Sequence, residues 1–301
     1  MKILITGSSG TIGTRLCEVL MKEKVEIIGI DKKKNKWQKS VDKNTIIGDL
    51  RSKKAFSKLP KKIDMVVHLA ANARVYDLVE NPDLAKDNFI TLYNTLEFCR
   101  KNNIKKFMFA SSREVYGNTK NIIHKEEDAD IINCESPYSA SKIGGEALIH
   151  AYKECYGIDF IIVRFSNVYG MYDESNRVIP LFIRLAKKNK DLVIFGKEKL
   201  LDFTYIDDTI SAVLNCIKKF DSAKNDTYNI SFGRGIRIFD VAKLVKQNLN
   251  SKSKIILSKN RTGEVIKYIA DISKISKKVS FKPKTPIEEG VKKAIGWYGG
   301  N

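Results

Sequence analysis

The chain has 301 residues, 43% of them hydrophobic, which is enough for one large α/β domain or for a nucleotide-binding domain with a smaller companion. No apolar run approaches the ~18 residues that a membrane span needs, and the stretch over residues 1–7 is too short, and too soon followed by glycines, to be a signal peptide. The net charge of +19 comes from lysines spread along the whole chain without a zinc-finger or RNA-recognition motif, which suits an anionic small-molecule substrate better than a nucleic-acid partner.

Residues 2–6 are a short apolar run, read as a buried strand. Gly7-Ser8-Ser9-Gly10-Thr11-Ile12-Gly13 follows at once. An amphipathic stretch with Leu16, Val19 and Leu20 on one face comes next. Strand, glycine turn and helix make a dinucleotide site: glycines let the backbone approach a pyrophosphate, and the helix N-terminus offers N–H donors and positive potential. Residues 25–30 read as the second strand, ending in Asp31. A carboxylate there accepts hydrogen bonds from an adenosine ribose, which favours NAD over NADP against the pull of Lys32, Lys33 and Lys34. A third strand over 45–47 leads into Gly48-Asp49-Leu50-Arg51, with Asp49 toward the adenine. Residues 64–71 read as a fourth, whose small final residues leave room for a cofactor. Asn81-Pro82 opens a helix over 83–102, with Phe89, Leu92, Tyr93, Leu96 and Cys99 on one face. The fifth strand, 106–111, runs into Ser112-Arg113-Glu114-Val115-Tyr116-Gly117. Ends of parallel strands carry the active groups in such sheets, so Ser112 is a candidate donor to a substrate oxygen.

Ser136-Pro137-Tyr138-Ser139-Ala140-Ser141-Lys142 carries the chemistry. Ser136 suits an N-cap and Pro137 the first helical turn. Tyr138 and Lys142 then share one helix face, one turn apart. A phenol titrates near ~10, and a neighbouring ammonium lowers that value. Such a pair can remove a hydroxyl proton and return it. A further strand over 160–164 completes a doubly wound parallel sheet. Beyond residue 170 the alternation loosens. A helix is expected near 181–189, short strands over 193–196 and 202–206, a helix over 207–219, and a mixed tail from Gly235. There are no internal repeats and no low-complexity linker. Residues 1–167, with 207–231 returning to them, are therefore expected to form the dinucleotide-binding domain, and 168–206 with 232–301 an interleaved α/β substrate domain. Five scattered cysteines without a Cys-x-x-Cys pair, and three histidines without ligand spacing, argue for a reducing cytoplasm and against a metal site.

Together these residues resemble the extended short-chain dehydrogenases/reductases of the nucleotide-sugar epimerase/dehydratase group, closest to UDP-glucose 4-epimerases. The resemblance rests on the glycine turn, His68-Leu69-Ala70-Ala71, Ser111-Ser112 before Val115-Tyr116-Gly117, Tyr138-x-x-x-Lys142, Asn167-Val168-Tyr169-Gly170, Asp202-Phe203-x-Tyr205-x-Asp207-Asp208 and Arg261-Thr262-Gly263-Glu264. It implies a Rossmann-like fold, NAD as cofactor and a catalytic set of Ser112, Tyr138 and Lys142. NAD would meet Gly7, Gly10, Thr11, Ile12, Gly13, Asp31, Lys32, Asp49 and Leu50, then Leu69, Ala70, Ala71, Asn88, Tyr138 and Lys142. The UDP-sugar would meet Ser112, Arg113, Tyr138, Asn167, Arg177 and Val178, with Arg261 and Glu264 on its diphosphate and ribose. The implied reaction is 4-epimerisation through a 4-keto sugar. The alternatives are decarboxylation of a UDP-uronic acid assisted by Glu114, another nucleotide-sugar dehydratase or reductase activity, or NAD binding without catalysis. The resemblance also implies a homodimer built on the 83–102 helix and the helix after Tyr138. Two departures stand out. Leu201 occupies the place where many members carry Arg, leaving Lys197, Lys199 or Arg177 as substitutes and Leu201→Arg as a change expected to help binding or do nothing. Arg113-Glu114 also stands where 4,6-dehydratases have Asp-Glu, so the acid for a leaving hydroxyl is missing.

Overall fold

Ile3, Leu4 and Ile5 are fully buried in the strand Lys2–Thr6 because helices cover both faces of the sheet it lies in. In the computed structural model, which describes residues 1–299, seven parallel strands make that sheet. Their spatial order is Asp226–Ile230, Asp159–Phe165, Lys106–Ser112, Met65–His68, Lys2–Thr6, Glu26–Asp31 and Thr45–Ile47. The chain builds outward from Lys2–Thr6 in one direction, then returns beside it with Met65–His68 and builds the other way. The strand order therefore reverses between these two neighbours, and a crevice opens beyond their C-terminal ends. On one face Leu16 and Leu20 of the helix Thr11–Lys22 pack with Ile3, Ile5 and Val67. On the other, Leu92 and Leu96 of Asp83–Lys101 and Ile149 of Pro137–Tyr156 pack with Leu4, Val66 and Phe107.

A second sheet stands over the C-terminal edge, in the order Gly235–Arg237, Leu200–Tyr205, Lys267–Ala270 and Ile123–His124, with Asn167–Tyr169 also pairing Leu200–Tyr205. Ile123–His124 belongs to this sheet although it lies within the first 167 residues. The helix expected over 181–189 runs instead over Val178–Ala186. Pro180 falls within its first turn, where a missing N–H leaves no helical bond unmade. The strand expected from Asp202 starts at Leu200, because Leu200 and Leu201 already pair with Lys267 and Tyr268. Among the described residues no helix is long and apolar enough to cross a membrane.

Candidate functional site

Gly7 turns the chain at φ +71, and a Cβ there would lie 2.9 Å from the Ala70 nitrogen. A Cβ on Gly13 would lie 2.1 Å from the Gly7 carbonyl. Glycines at both places let the turn close onto the helix start and onto the loop after Met65–His68, a cradle that fits a dinucleotide. Gly10 caps the helix Thr11–Lys22. Gly7, Gly10, Asp31, Lys32, Asp49 and Leu50 line the crevice together with Leu69, Ala70, Ala71 and Asn88. Thr11 and Ile12 lie in the first helical turn behind it, and the Thr11 hydroxyl donates to the Tyr172 carbonyl at 2.8 Å.

The Asp31 carboxylate accepts the Ser9 N–H on one oxygen and the Lys33 N–H on the other, each at 3.0 Å. Both oxygens keep acceptor capacity for ribose hydroxyls. Asp31→Ser is accordingly expected to narrow the preference for NAD over NADP by about tenfold or more, the loss of one charge-assisted hydrogen bond. Titration with both dinucleotides checks it, and an unchanged ratio removes Asp31 from that role. Arg51, which the sequence reading does not single out, grips Asp49 with Nη2 at 2.6 Å and Nε at 3.1 Å and reaches Asp87 at 2.9 Å. That fork holds the Asp49 carboxyl below its usual range. Asn88 links the crevice to the Pro137–Tyr156 helix. Its Oδ1 accepts the Asn72 N–H at 2.7 Å and its Nδ2 donates to the Ser141 hydroxyl at 3.3 Å.

Ser136 caps that helix by accepting the Ser139 N–H, and Pro137 is its first residue. Tyr138 is buried, with Ser112 near enough to act on its phenol. Burial pushes the phenol up, while Ser112, Arg177 and Arg113 pull it back. The ammonium of Lys142 does not touch the phenol: its Nζ donates to the Ala110 carbonyl at 2.7 Å and lies 5.7 Å from the Tyr138 ring centre. The i,i+4 spacing predicts that Lys142 lowers the phenol directly. Here Ser112 and the two arginines take that part. Lys142 itself is pushed down to about 8 by burial, with Glu146 opposing.

The proposed substrate residues fall into two groups. Arg113 stays beside Ser112 and pairs with the buried Glu114 at 2.7 Å. Arg177, at the N-cap of Val178–Ala186, donates to the Ala73 carbonyl at 3.2 Å, and Val178 follows it as the first helical residue. Asn167 spends its amide N–H on the Asp202 carbonyl at 2.9 Å, which leaves its Oδ1 as acceptor. The second group comes from the loop between the strands Ile255–Ser258 and Lys267–Ala270. Arg261 lies with its guanidinium carbon 3.8 Å from the Phe195 ring centre and 4.9 Å from that of Tyr76. Glu264 is bonded by Lys199. Glu114 joins the two groups, since its carboxylate accepts the Val265 N–H at 3.4 Å.

Residues 3–231 match the model of the NAD dependent epimerase/dehydratase family. The chain belongs to that family. A UDP-glucuronate 4-epimerase of Thermodesulfobacterium geofontis is 30% identical over 311 residues, which cover 98% of this chain and 95% of the relative. Among solved structures, the UDP-glucose 4-epimerase of Thermotoga maritima with UDP-glucose superposes with a TM-score of 0.90 at 27% identity, covering 100% of this chain and 99% of that one. The UDP-glucuronic acid 4-epimerase of Bacillus cereus, in complex with UDP-glucuronic acid and NAD, does so with the same TM-score, identity and coverage. The protein is thus an NAD-dependent nucleotide-sugar epimerase, an isomerase with the Rossmann-type fold.

Within this epimerase Leu201 is buried between Ile236 and Tyr268, its partners in the neighbouring strands. Of the three substitutes considered for the missing arginine, Lys199 is buried and paired with Glu264, and Arg177 is turned to Ala73. Lys197 is exposed in the turn between Leu192–Phe195 and Leu200–Tyr205. Asn72, in the loop after Met65–His68, and Asp87, on the helix Asp83–Lys101, carry no local sequence signal, because the fold alone brings them to the site.

Proposed function

We propose that the enzyme interconverts a UDP-hexose and its C4 epimer through transient oxidation at C4. The observation that carries this reading is the arrangement of Ser112, Tyr138 and Lys142 on one strand end and one helix face beside the glycine-turn crevice. Tyr138, helped by Ser112, takes the proton of the sugar 4-hydroxyl and returns it after the sugar has turned over. When bound, NAD supplies the redox partner that accepts hydrogen from C4 and gives it back to the other face. Gly7, Gly10 and Gly13 admit its pyrophosphate, Asp31 receives its adenosine ribose, and Lys142 holds the strand end that positions Tyr138. Arg261 receives the diphosphate, with Asn167 on the sugar side. Residues 1–167 and 207–231 serve the cofactor and the remainder the nucleotide sugar.

The test is to incubate the purified enzyme with UDP-glucose, UDP-N-acetylglucosamine or UDP-glucuronate and resolve the products. A 4-epimer without net reduction of NAD supports the reading. Release of CO₂ from UDP-glucuronate would replace it with decarboxylation, for which the buried Glu114, pushed up by desolvation, is the residue at hand.

We also propose that two copies pair through the helices Asp83–Lys101 and Pro137–Tyr156, in a compartment that keeps all five thiols free. Phe89 and Tyr93 are each 40% exposed on the first helix, and Phe89 lies beside Gly144 of the second. Adjacent exposed aromatics at one helix pair suit a two-fold interface. Light scattering at micromolar concentration should give twice the chain mass, and Phe89→Lys should halve it. A wild-type monomer rejects the pairing.

A further inference from the structure

The helix Pro137–Tyr156 carries Tyr138, Lys142 and Glu146 at intervals of four, so the three side chains form one stripe. That stripe meets three consecutive residues at the end of the strand Lys106–Ser112. Tyr138 faces Ser112, which pulls its phenol down, Lys142 donates to the Ala110 carbonyl, and the Ser111 hydroxyl donates to Glu146 at 2.5 Å. The neighbouring strand supplies a clamp. Arg164 is the register partner of Ser111, and its guanidinium grips both oxygens of Glu146, with Nε at 3.0 Å and Nη2 at 2.7 Å. Its remaining nitrogen is fixed as well, donating to the Glu126 carbonyl at 2.6 Å and the Tyr116 hydroxyl at 3.1 Å. Arg164 and Lys142 are both buried. A buried ion pair adds little net stability, because desolvation offsets the attraction. A two-pronged guanidinium–carboxylate contact does fix direction.

We propose that Glu146 and Arg164 are positioning residues for the Tyr138–Lys142 pair: the fork sets the register of the helix on the strand end and holds the Glu146 carboxylate one helical turn from Lys142 as its counter-charge. The inference rests on the catalytic reading of Tyr138 and Lys142 given above. The groups that face Lys142 are few. Its own helix offers Tyr138 and Glu146. The strand Met65–His68 offers His68, which burial pushes down to about 3 and so leaves neutral. The strand Lys106–Ser112 offers the Phe109 ring, centred 4.9 Å away, and the Ala110 carbonyl. Arg164 stands behind Glu146. Among these groups Glu146 is the one carboxylate. It opposes the burial that lowers Lys142. With its charge removed, burial acts unopposed, and the amine gives up its proton at lower pH.

The test uses Glu146→Gln, the double variant Glu146→Gln with Arg164→Met, and Arg164→Lys. Two readouts are taken across pH: kcat/KM with a UDP-sugar, and the titration of Lys142 by NMR of protein labelled at the lysine ε-carbon, its signal identified by its loss in Lys142→Met. In Glu146→Gln the NMR midpoint and the alkaline limb of activity should both move down by about one pH unit. The double variant removes both charges, so it folds without an unpaired buried ion, and it should show the same displaced midpoint. Arg164→Lys keeps the charge and loses the fork. It should lower kcat by about 10- to 100-fold, the cost of a misplaced group, with the midpoint unchanged. A purely structural pair predicts lower stability and a stationary midpoint. A midpoint that stays within ~0.3 units of wild type in the folded single or double variant, well short of the shift a lost neighbouring charge gives, overturns the counter-charge. Full kcat in Arg164→Lys overturns the register. A midpoint that moves while the activity limb stays put faults instead the assignment of Lys142 to catalysis.

Discussion

Tyr138→Phe is expected to lower kcat by about 10²- to 10⁴-fold, the range that a positioned acid–base group supplies, while NAD affinity changes little. The substitution removes one oxygen from a buried ring and leaves its packing in place. The lost oxygen is the one that Ser112 acts on, so the Ser112 hydroxyl is left to meet the sugar without a base beside it. Arg177 and Arg113, which pull the phenol back toward its ordinary range, remain in place. Their charge then has no phenolate to stabilise, and removal of the 4-hydroxyl proton becomes the slow step. The NAD crevice is lined from the glycine turn, Asp31 and the 69–71 wall, and Tyr138 is not part of that lining. Cofactor affinity by fluorescence titration and turnover with a UDP-sugar, measured on the same preparation, separate the two effects. A Tyr138→Phe enzyme that turns over near the wild-type rate removes Tyr138 from the chemistry altogether, while a large loss of NAD affinity makes its role structural.

The parts of this fold that follow from local rules are legible in the amino-acid sequence. The buried runs over 2–6 and 106–111 are strands because a sheet covered on both faces admits nothing else so apolar and so short. The Ser136 cap and Pro137 fix a helix start to the residue. The helix Val178–Ala186 begins three residues before the expected position, because Pro180 suits the first turn of a helix as well as the stretch ahead of one. Ile123–His124 is hidden for another reason. Two residues carry no periodicity, and their pairing with Lys267–Ala270 joins segments far apart in the chain. The site shows the same division. The i,i+4 spacing puts Tyr138 and Lys142 on one face, yet which group acts on the phenol depends on strands brought alongside. Lys142 instead bonds Ala110, and Glu264 is taken by Lys199 rather than by Arg261, its neighbour in sequence.

Arg261→Ala should raise the Michaelis constant for the nucleotide sugar by about 30-fold or more, with kcat little changed. The guanidinium is stacked over the Phe195 ring and beside that of Tyr76. Stacking occupies its faces and leaves its N–H edge for a ligand. Glu264 lies 4.0 Å away, beyond hydrogen-bond distance, because Lys199 holds its carboxylate. An arginine so preorganised loses little freedom on meeting a diphosphate, and cutting one partner from such a charged contact costs about 2–5 kcal/mol. At about 1.4 kcal/mol per tenfold, that is roughly 30-fold to a few thousand-fold in affinity. A loss confined to KM is the mark of binding energy felt equally by bound substrate and transition state. Arg261→Lys should recover only part of it, since an ammonium has neither the fork nor the planar face. The companion substitution Leu201→Arg, which the family pattern invites, now has the opposite expectation. Leu201 is 5% exposed between Ile236 and Tyr268, so a guanidinium there enters a packed sheet face and costs stability. Its melting temperature should fall with no gain in KM. Kinetic constants for Arg261→Ala indistinguishable from wild type would mean that the residue only pairs weakly with Glu264 at the surface, where such pairs contribute ~1 kcal/mol or less, and the nucleotide-sugar role of the loop 261–264 would go with it.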